Sequence, residues 1–212
     1  MDRSERMAWK LELELMDKAA DEMEKGNGHK ALPLLNEVLS VNPMHLFAYK
    51  CRGIIYAGLK NYQKAIEDFK RAIDISLNDS NVDDSFTLEI YYYLGNVHES
   101  IYFAKEFLES VEYLAQAIKI YTKILQIHPK CIPARYRRGN LYYYIGTNAD
   151  RPDELLRLAV EDLNFILENE PENMDTTMKM DTVRTWNLAR MMLGEGDLSW
   201  LEEDSDIYPR GM

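Results

Sequence analysis

Apolar positions recur along this chain at a fixed interval. Ala19 pairs with Gly53, Ala31 with Ala65, Leu35 with Phe69 and Val38 with Ala72, each time across the same offset in sequence. Small residues repeat with small ones and large with large, the mark of a supersecondary unit used more than once. At helical spacing this predicts a pair of helices that meet closely at the small positions and fill the space between them with the large ones. A third unit leads from Tyr91-Tyr92-Tyr93-Leu94-Gly95 to the run Ser110 to Ala117. Its second helix does not stop on schedule: Ala117, Tyr121 and Ile124 restate Ser110, Leu114 and Ala117 seven residues later, and no breaker comes before Pro129. Seven residues are about two helical turns, so the extension is expected to keep the same face inward. A fourth unit runs from Arg135 through Gly139 and Tyr142 to Ala159, Leu163, Ile166 and Pro171, with a loop of turn residues, Gly146 to Asp153, between its helices.

Helices are therefore predicted over 4–25, 29–41, 45–58, 62–77, 85–101, 105–127, 131–146, 152–169 and 173–193. Turn signals at Asn27-Gly28, Asn42-Pro43, Gly58 to Asn61, His128-Pro129 and Glu170-Pro171 separate them. The ninth helix, with Val183, Trp186, Leu188 and Met191, has no partner of its own and reads as the cap that a stack of repeats needs at its end. Composition agrees, since 10 Gly and 7 Pro in 212 residues leave room for long uninterrupted elements.

The spacings resemble the tetratricopeptide repeat, whose pattern is an aromatic, Leu-Gly, a Tyr, an Ala, an aromatic or Leu, a second Ala and a closing Pro. The clearest copy is Tyr49, Gly53, Tyr56, Ala65, Phe69 and Ala72. Leu15, Ala19, Ala31, Leu35, Val38 and Pro43 form the first copy. The third is carried by Tyr91, Leu94, Gly95, Ser110, Leu114 and Ala117, and the fourth by Gly139, Tyr142, Ala159, Leu163, Ile166 and Pro171. The pattern is broken by Leu77, where the second copy should close with Pro, and by Arg135, where the fourth should open with an aromatic. The resemblance implies an all-α, right-handed superhelical solenoid of four helix pairs, about 12–44, 45–78, 85–129 and 130–171. A capping helix over 173–193 completes a single domain of 1–193, and an acidic tail of 194–212 follows.

In such repeats the first helix of each pair lines a concave groove. Transferring the family's groove positions residue by residue selects Met16, Phe47, Lys50, Ile54, Tyr92, Asn96, Tyr136, Asn140 and Tyr143 as the partner-binding surface. Tyrosine offers stiff contact area, and Asn96 and Asn140, at equivalent positions, each offer a donor and an acceptor to an extended backbone. The same asparagines have an alternative use in bonding neighbouring helices or water. Some relatives grip acidic chaperone C-termini with a clamp of Lys, Asn and Arg. Shifting the frame by one repeat recovers Lys50 but puts Ile54 and Tyr93 where Asn is required, so that partner is disfavoured.

Charge narrows the function classes further. With 36 Asp and Glu against 25 Lys and Arg the formal charge is −11, the wrong sign for nonspecific nucleic-acid or anionic-membrane binding. Arg135, Arg137 and Arg138 make a basic island in this acidic protein. They either pair with local acids or form an anion subsite. The tail carries five of the eleven net charges together with Trp200, Leu201, Ile207 and Tyr208, so it could fold back on that island. Met7, Leu11, Leu13, Leu15 and Met16 exceed what one buried helix face needs, and they serve either as an edge cap or as a homodimer seam.

Catalytic chemistry finds little support in the sequence. His29, His45, His98 and His128 stand apart, no Cys pair has zinc spacing, and the acidic pairs read as solvated faces or caps. We expect no cofactor or metal, lone buried thiols at Cys51 and Cys131, no nucleic-acid or membrane partner, and a cytoplasmic location. The N-terminus shows no apolar leader core. The reading is a non-catalytic protein-interaction scaffold, monomeric or homodimeric, for a protein or peptide partner. The alternatives are a dimerising chaperone for secreted or assembling proteins, and an enzyme.

Overall fold

A computed structural model describes residues 2–79, 81–104, 111–149, 152–172 and 174–196. Every regular element in them is an α-helix: α1 (Arg3–Glu24), α2 (Gly28–Val41), α3 (Leu46–Gly58), α4 (Tyr62–Asn78), α5 (Asp84–Ala104), α6 (Val111–Ile127), α7 (Ile132–Gly146), α8 (Asp153–Glu168) and α9 (Thr176–Met192). The helices fall within a few residues of the predicted ranges. The exception is the start of the sixth, whose predicted first residues, 105–110 with Ser110 among them, lie outside the described residues.

Two compact units divide the chain between Ile120 and Tyr121, within α6. In the first, α1 packs on α2 and α3 on α4, with further contacts between α2 and α3 and between α4 and α5. The residues of the repeated offset close this packing: Ala19, Ala31, Leu35, Val38, Ala65, Phe69 and Ala72 have no accessible surface, and Gly53 is buried with them. Gly53 marks a close approach, because a Cβ there would lie 2.7 Å from the Phe69 ring. Local chemistry sets the helix ends. Asp2 and Glu5 cap α1 reciprocally through bonds of 2.7 and 2.8 Å. The turn after α1 passes through Gly26 at φ +73°, and the equivalent turn after α3, one repeat on, puts Lys60 in the same left-handed region at φ +59°.

In the second unit α7 packs on α8, and α9 lies against both. Gly139 repeats the role of Gly53, since a Cβ there would meet Leu163 at 3.1 Å. In α6 itself, Leu114, Ala117, Tyr121 and Ile124 are all buried, so the seven-residue extension does keep one face inward. No helix among the described residues is long and apolar enough to cross a membrane.

Candidate partner-binding surfaces

Each predicted groove residue lies on the first helix of a pair, and the two units are taken in turn. In the first unit Met16 on α1 and Phe47 on α3 border a cleft of about 320 Å³, also lined by Trp9, Leu13, Ala20 and His45. The Phe47 ring is 44% exposed. It enters the first turn of α3 beside His45, whose Nδ1 accepts the Ala48 amide at 3.0 Å while Nε2 stands 3.3 Å from Glu12.

Lys50 departs from the picture of an open basic contact. It is 8% exposed, with its ammonium 2.8 Å from Glu89 on α5 and 4.9 and 4.4 Å from the ring centres of Phe47 and Phe86. Those two rings stack at 5.9 Å. The ion pair and the ring faces replace the water that Lys50 loses. Ile54 is part of the packing around the α4–α5 core, while Tyr92 and Asn96 are half-buried on α5. Tyr93, next to them, stacks on Phe69 at 5.8 Å, and burial, followed by Glu89, raises its phenol above the ordinary value.

In the second unit Tyr136, Asn140 and Tyr143 are half-buried on α7. The Tyr136 hydroxyl donates to Asp181 on α9 at 3.2 Å. Burial first and Asp181 second raise its pKa. The capping helix is thus tied to the first-helix surface through a residue that the sequence assigned to partner contact.

Two of the three island arginines, Arg135 and Arg138, form a fork on one buried carboxylate, while Arg137 is half-buried on α7. Arg138 donates through Nε and Nη2 to the two Asp162 oxygens at 2.7 and 2.8 Å, and Arg135 adds Nη1 at 3.0 Å. Arg135 also donates Nε and Nη2 to the Pro129 carbonyl and lies 3.8 Å over the Phe165 ring. Asp162 is 1% exposed. The same fork stands in the first unit, where Arg52 donates Nε and Nη2 to Asp68 at 2.8 and 2.7 Å. Each Arg directly precedes a close-approach glycine, Gly53 or Gly139, and each Asp precedes the large residue packed on it, Phe69 or Leu163. The remaining amino group reaches back to the preceding helix, Arg52 to Asn36 at 2.7 Å and Arg138 to Thr122 at 3.1 Å. Thr122 follows Tyr121 as Asn36 follows Leu35, so the fork takes its register from the seven-residue extension of α6. Sequence reading missed this device, although the Arg-Gly pairs 52–53 and 138–139 and the Asp before each packed residue were its signal.

Of the two thiols expected in the interior, Cys51 is buried and Cys131, at the N-cap of α7, is only partly so, because a cap position lies at the edge of the packed face. Burial pushes the Cys51 thiol up to about 11, which keeps it protonated and unreactive at neutral pH. His98 on α5 is a second buried titratable group. Its Nδ1 has no hydrogen-bond partner among the described residues, and its ring lies 5.9 Å from that of Tyr113. Burial, with help from Lys70, lowers its pKa to about 4. The unfolded chain therefore binds this proton near pH 6.5 while the folded chain does not, so stability falls as pH drops from 6.5 toward 4. Between pH 7 and 5 the expected loss from this group is about 1–2 kcal/mol. Urea melts of the native chain and His98→Gln over that interval check it: the native slope should exceed the variant's, and parallel slopes would contradict the assignment.

The helix pairs, their close-approach small residues and the two forks define a helical-repeat protein. Residues 47–79 match the tetratricopeptide repeat family model. Solved structures with this architecture resemble most of the chain. MamA from Desulfovibrio magneticus RS-1 has a TM-score of 0.67 at 16% identity, covering 93% of each chain. YrrB, described as a tetratricopeptide protein with an unusual peptide-binding site, has a TM-score of 0.65 at 17% identity, over 93% of this chain and 87% of that one. The thermophilic tetratricopeptide protein TTC0263 of Thermus thermophilus has a TM-score of 0.56 at 19% identity, over 94% and 92%. A DnaJ protein P58IPK homolog B from Oryza sativa subsp. japonica is 22% identical over 167 residues, which are 77% of this chain and 32% of that protein. The chain thus spans about a third of the length of this curated relative. It has the fold of tetratricopeptide-repeat proteins.

Proposed function

We propose that this chain is a non-catalytic scaffold that displays its first-helix faces to a segment of a protein partner. The observation that carries the reading is the cleft at Met16 and Phe47, where an apolar depression and an exposed aromatic ring lie on the positions that tetratricopeptide repeats turn toward their ligands. Because the ring is less than half exposed, covering it on binding gains about 1 kcal/mol of transfer free energy, and the pre-formed helix pairs lose little entropy in receiving it. Tyr92 and Asn96 in the first unit, and Asn140 and Tyr143 in the second, supply further aromatic and amide contacts. YrrB, with its peptide-binding site, shares the architecture and lends support to a peptide as ligand. The test is an array of extended peptides probed with the purified chain and with two variants, Phe47→Ala and Tyr92→Ala/Asn96→Ala. A discrete set of bound peptides that both variants lose, with far-ultraviolet dichroism unchanged, is expected. An identical set bound by the native chain and both variants would overturn the reading.

A further inference from the structure

Helix α1 carries two apolar stripes: its own fold buries one and covers the other only in part, with Met16 and Met23 packing on the edge of the core. Leu15 and Ala19 enter the core of the first unit, and no residue of α1 before Leu15 is buried. The second stripe is Trp9, Leu13, Met16, Ala20 and Met23, in alternating steps of four and three. That alternation is the narrow seam by which two helices coil together, whereas a helix lying on a globular core shows a broader face. Trp9 is 58% and Leu13 47% exposed, and they border the cleft whose far side is Phe47.

The residues flanking this seam say what covers it. On one flank Ala19 is buried and Glu12 is held by His45, so the protein's own body occupies that side. On the other, at seven-residue intervals, stand Arg3, Lys10, Asp17 and Glu24, all exposed. The first two are basic and the last two acidic. Flanking charges of a helix pair set its orientation, and this order complements itself only when reversed.

We propose that α1 pairs antiparallel with α1 of a second copy of this chain. Reversal sets Arg3 against Glu24 and Lys10 against Asp17, twice over by symmetry. In the seam it places the large Trp9 against the small Ala20 and Leu13 against Met16, so the layers interlock. Parallel pairing would set Trp9 beside Trp9, Ala20 beside Ala20, and the two basic ends side by side. The interface is isologous and closes at two copies. It shares Met16 with the proposed peptide surface, so a dimer and a peptide at that cleft exclude each other. The proposal itself stands whatever the partner.

Sedimentation equilibrium of the full chain at low and moderate salt tests it. A reversible dimer is expected. Lys10→Glu alone, or Asp17→Lys alone, should weaken it by about tenfold or more at low salt, since each turns two attractions into two repulsions. The Lys10→Glu/Asp17→Lys chain should recover native affinity. Both positions are exposed, and helix content measured by dichroism confirms that the variants fold. A chain that stays monomeric to about 100 μM, a dimer indifferent to the single swaps, or a double swap no better than either single one would each overturn the proposal. The peptide array reads Phe47, Tyr92 and Asn96, none of which belongs to the seam, so failure of the dimer leaves that reading standing.

Discussion

Replacing Asp162 by alanine should cost the second unit about 3 kcal/mol or more, the largest loss expected from any single truncation in the protein. Asp162 is almost without accessible surface and accepts three bonds from two guanidinium groups, Arg135 and Arg138, whose side chains are themselves only 15 and 18% exposed. Removing the carboxylate leaves two largely buried positive charges facing each other, with the Pro129 carbonyl, Thr122 and the Phe165 ring as their remaining partners. Neither arginine can leave easily, because Arg138 is anchored beside Gly139 at the α7–α8 crossing. Asp68→Ala makes the internal control. It strands one guanidinium instead of two, and Arg52 keeps its bond to Asn36, so its cost should be smaller, about 2 kcal/mol. Thermal melts followed by far-ultraviolet dichroism measure both. Equal effects, or an Asp162 variant as stable as the native chain, would mean that the fork is a surface pair without structural weight.

Gly53→Leu should lower stability by about 1–3 kcal/mol or more through overpacking. The hydrogen atoms of Gly53 face the Phe69 ring, and the first atom of any side chain would lie 2.7 Å from it and 2.9 Å from a second ring carbon. Phe69 cannot swing aside, because it is fully buried among the residues that join α4 to α5. Even alanine should be costly there. At Gly58, where an added Cβ meets nothing within 4 Å, alanine should be neutral or stabilising, because the unfolded chain loses freedom. The pair separates a packing requirement from a general effect of glycine. A Gly53→Leu chain with an unchanged thermal midpoint would show that the repeat register is misplaced.

Much of this architecture was legible because helix packing writes itself into sequence at short range. The close-approach positions could be read by subtraction, and the seven-residue restatement in α6 predicted a buried Tyr121 and Ile124, since two turns return a side chain to the same face. The candidate site was less legible. The family's groove positions select Lys50, which lies on α3, but its burial depends on Phe86 and Glu89, which α5 brings in from beyond the whole of α4. Nothing in the spacing of α3 announces them. The Arg–Asp forks were hidden for a related reason. Arg138 stands further from Asp162 in sequence than Arg52 does from Asp68, because both the loop between α7 and α8 and the helical stretches flanking it are longer than those between α3 and α4. No fixed interval therefore exposes the pairing, and each arginine taken alone reads as a surface charge. The tail residues Trp200, Leu201, Ile207 and Tyr208, like the rest of 197–212, lie outside the described residues.

The scaffold account stands or falls on where a bound segment lies. Amide chemical-shift mapping of the labelled chain during titration with a peptide selected on the array measures this directly. The account predicts shifts concentrated on α1, α3 and α5, at and around Met16, Phe47, Tyr92 and Asn96, or on α7 around Asn140 and Tyr143, with the outer faces of the second helices α4 and α8 unmoved. Shifts confined to α4 and α8 would contradict it.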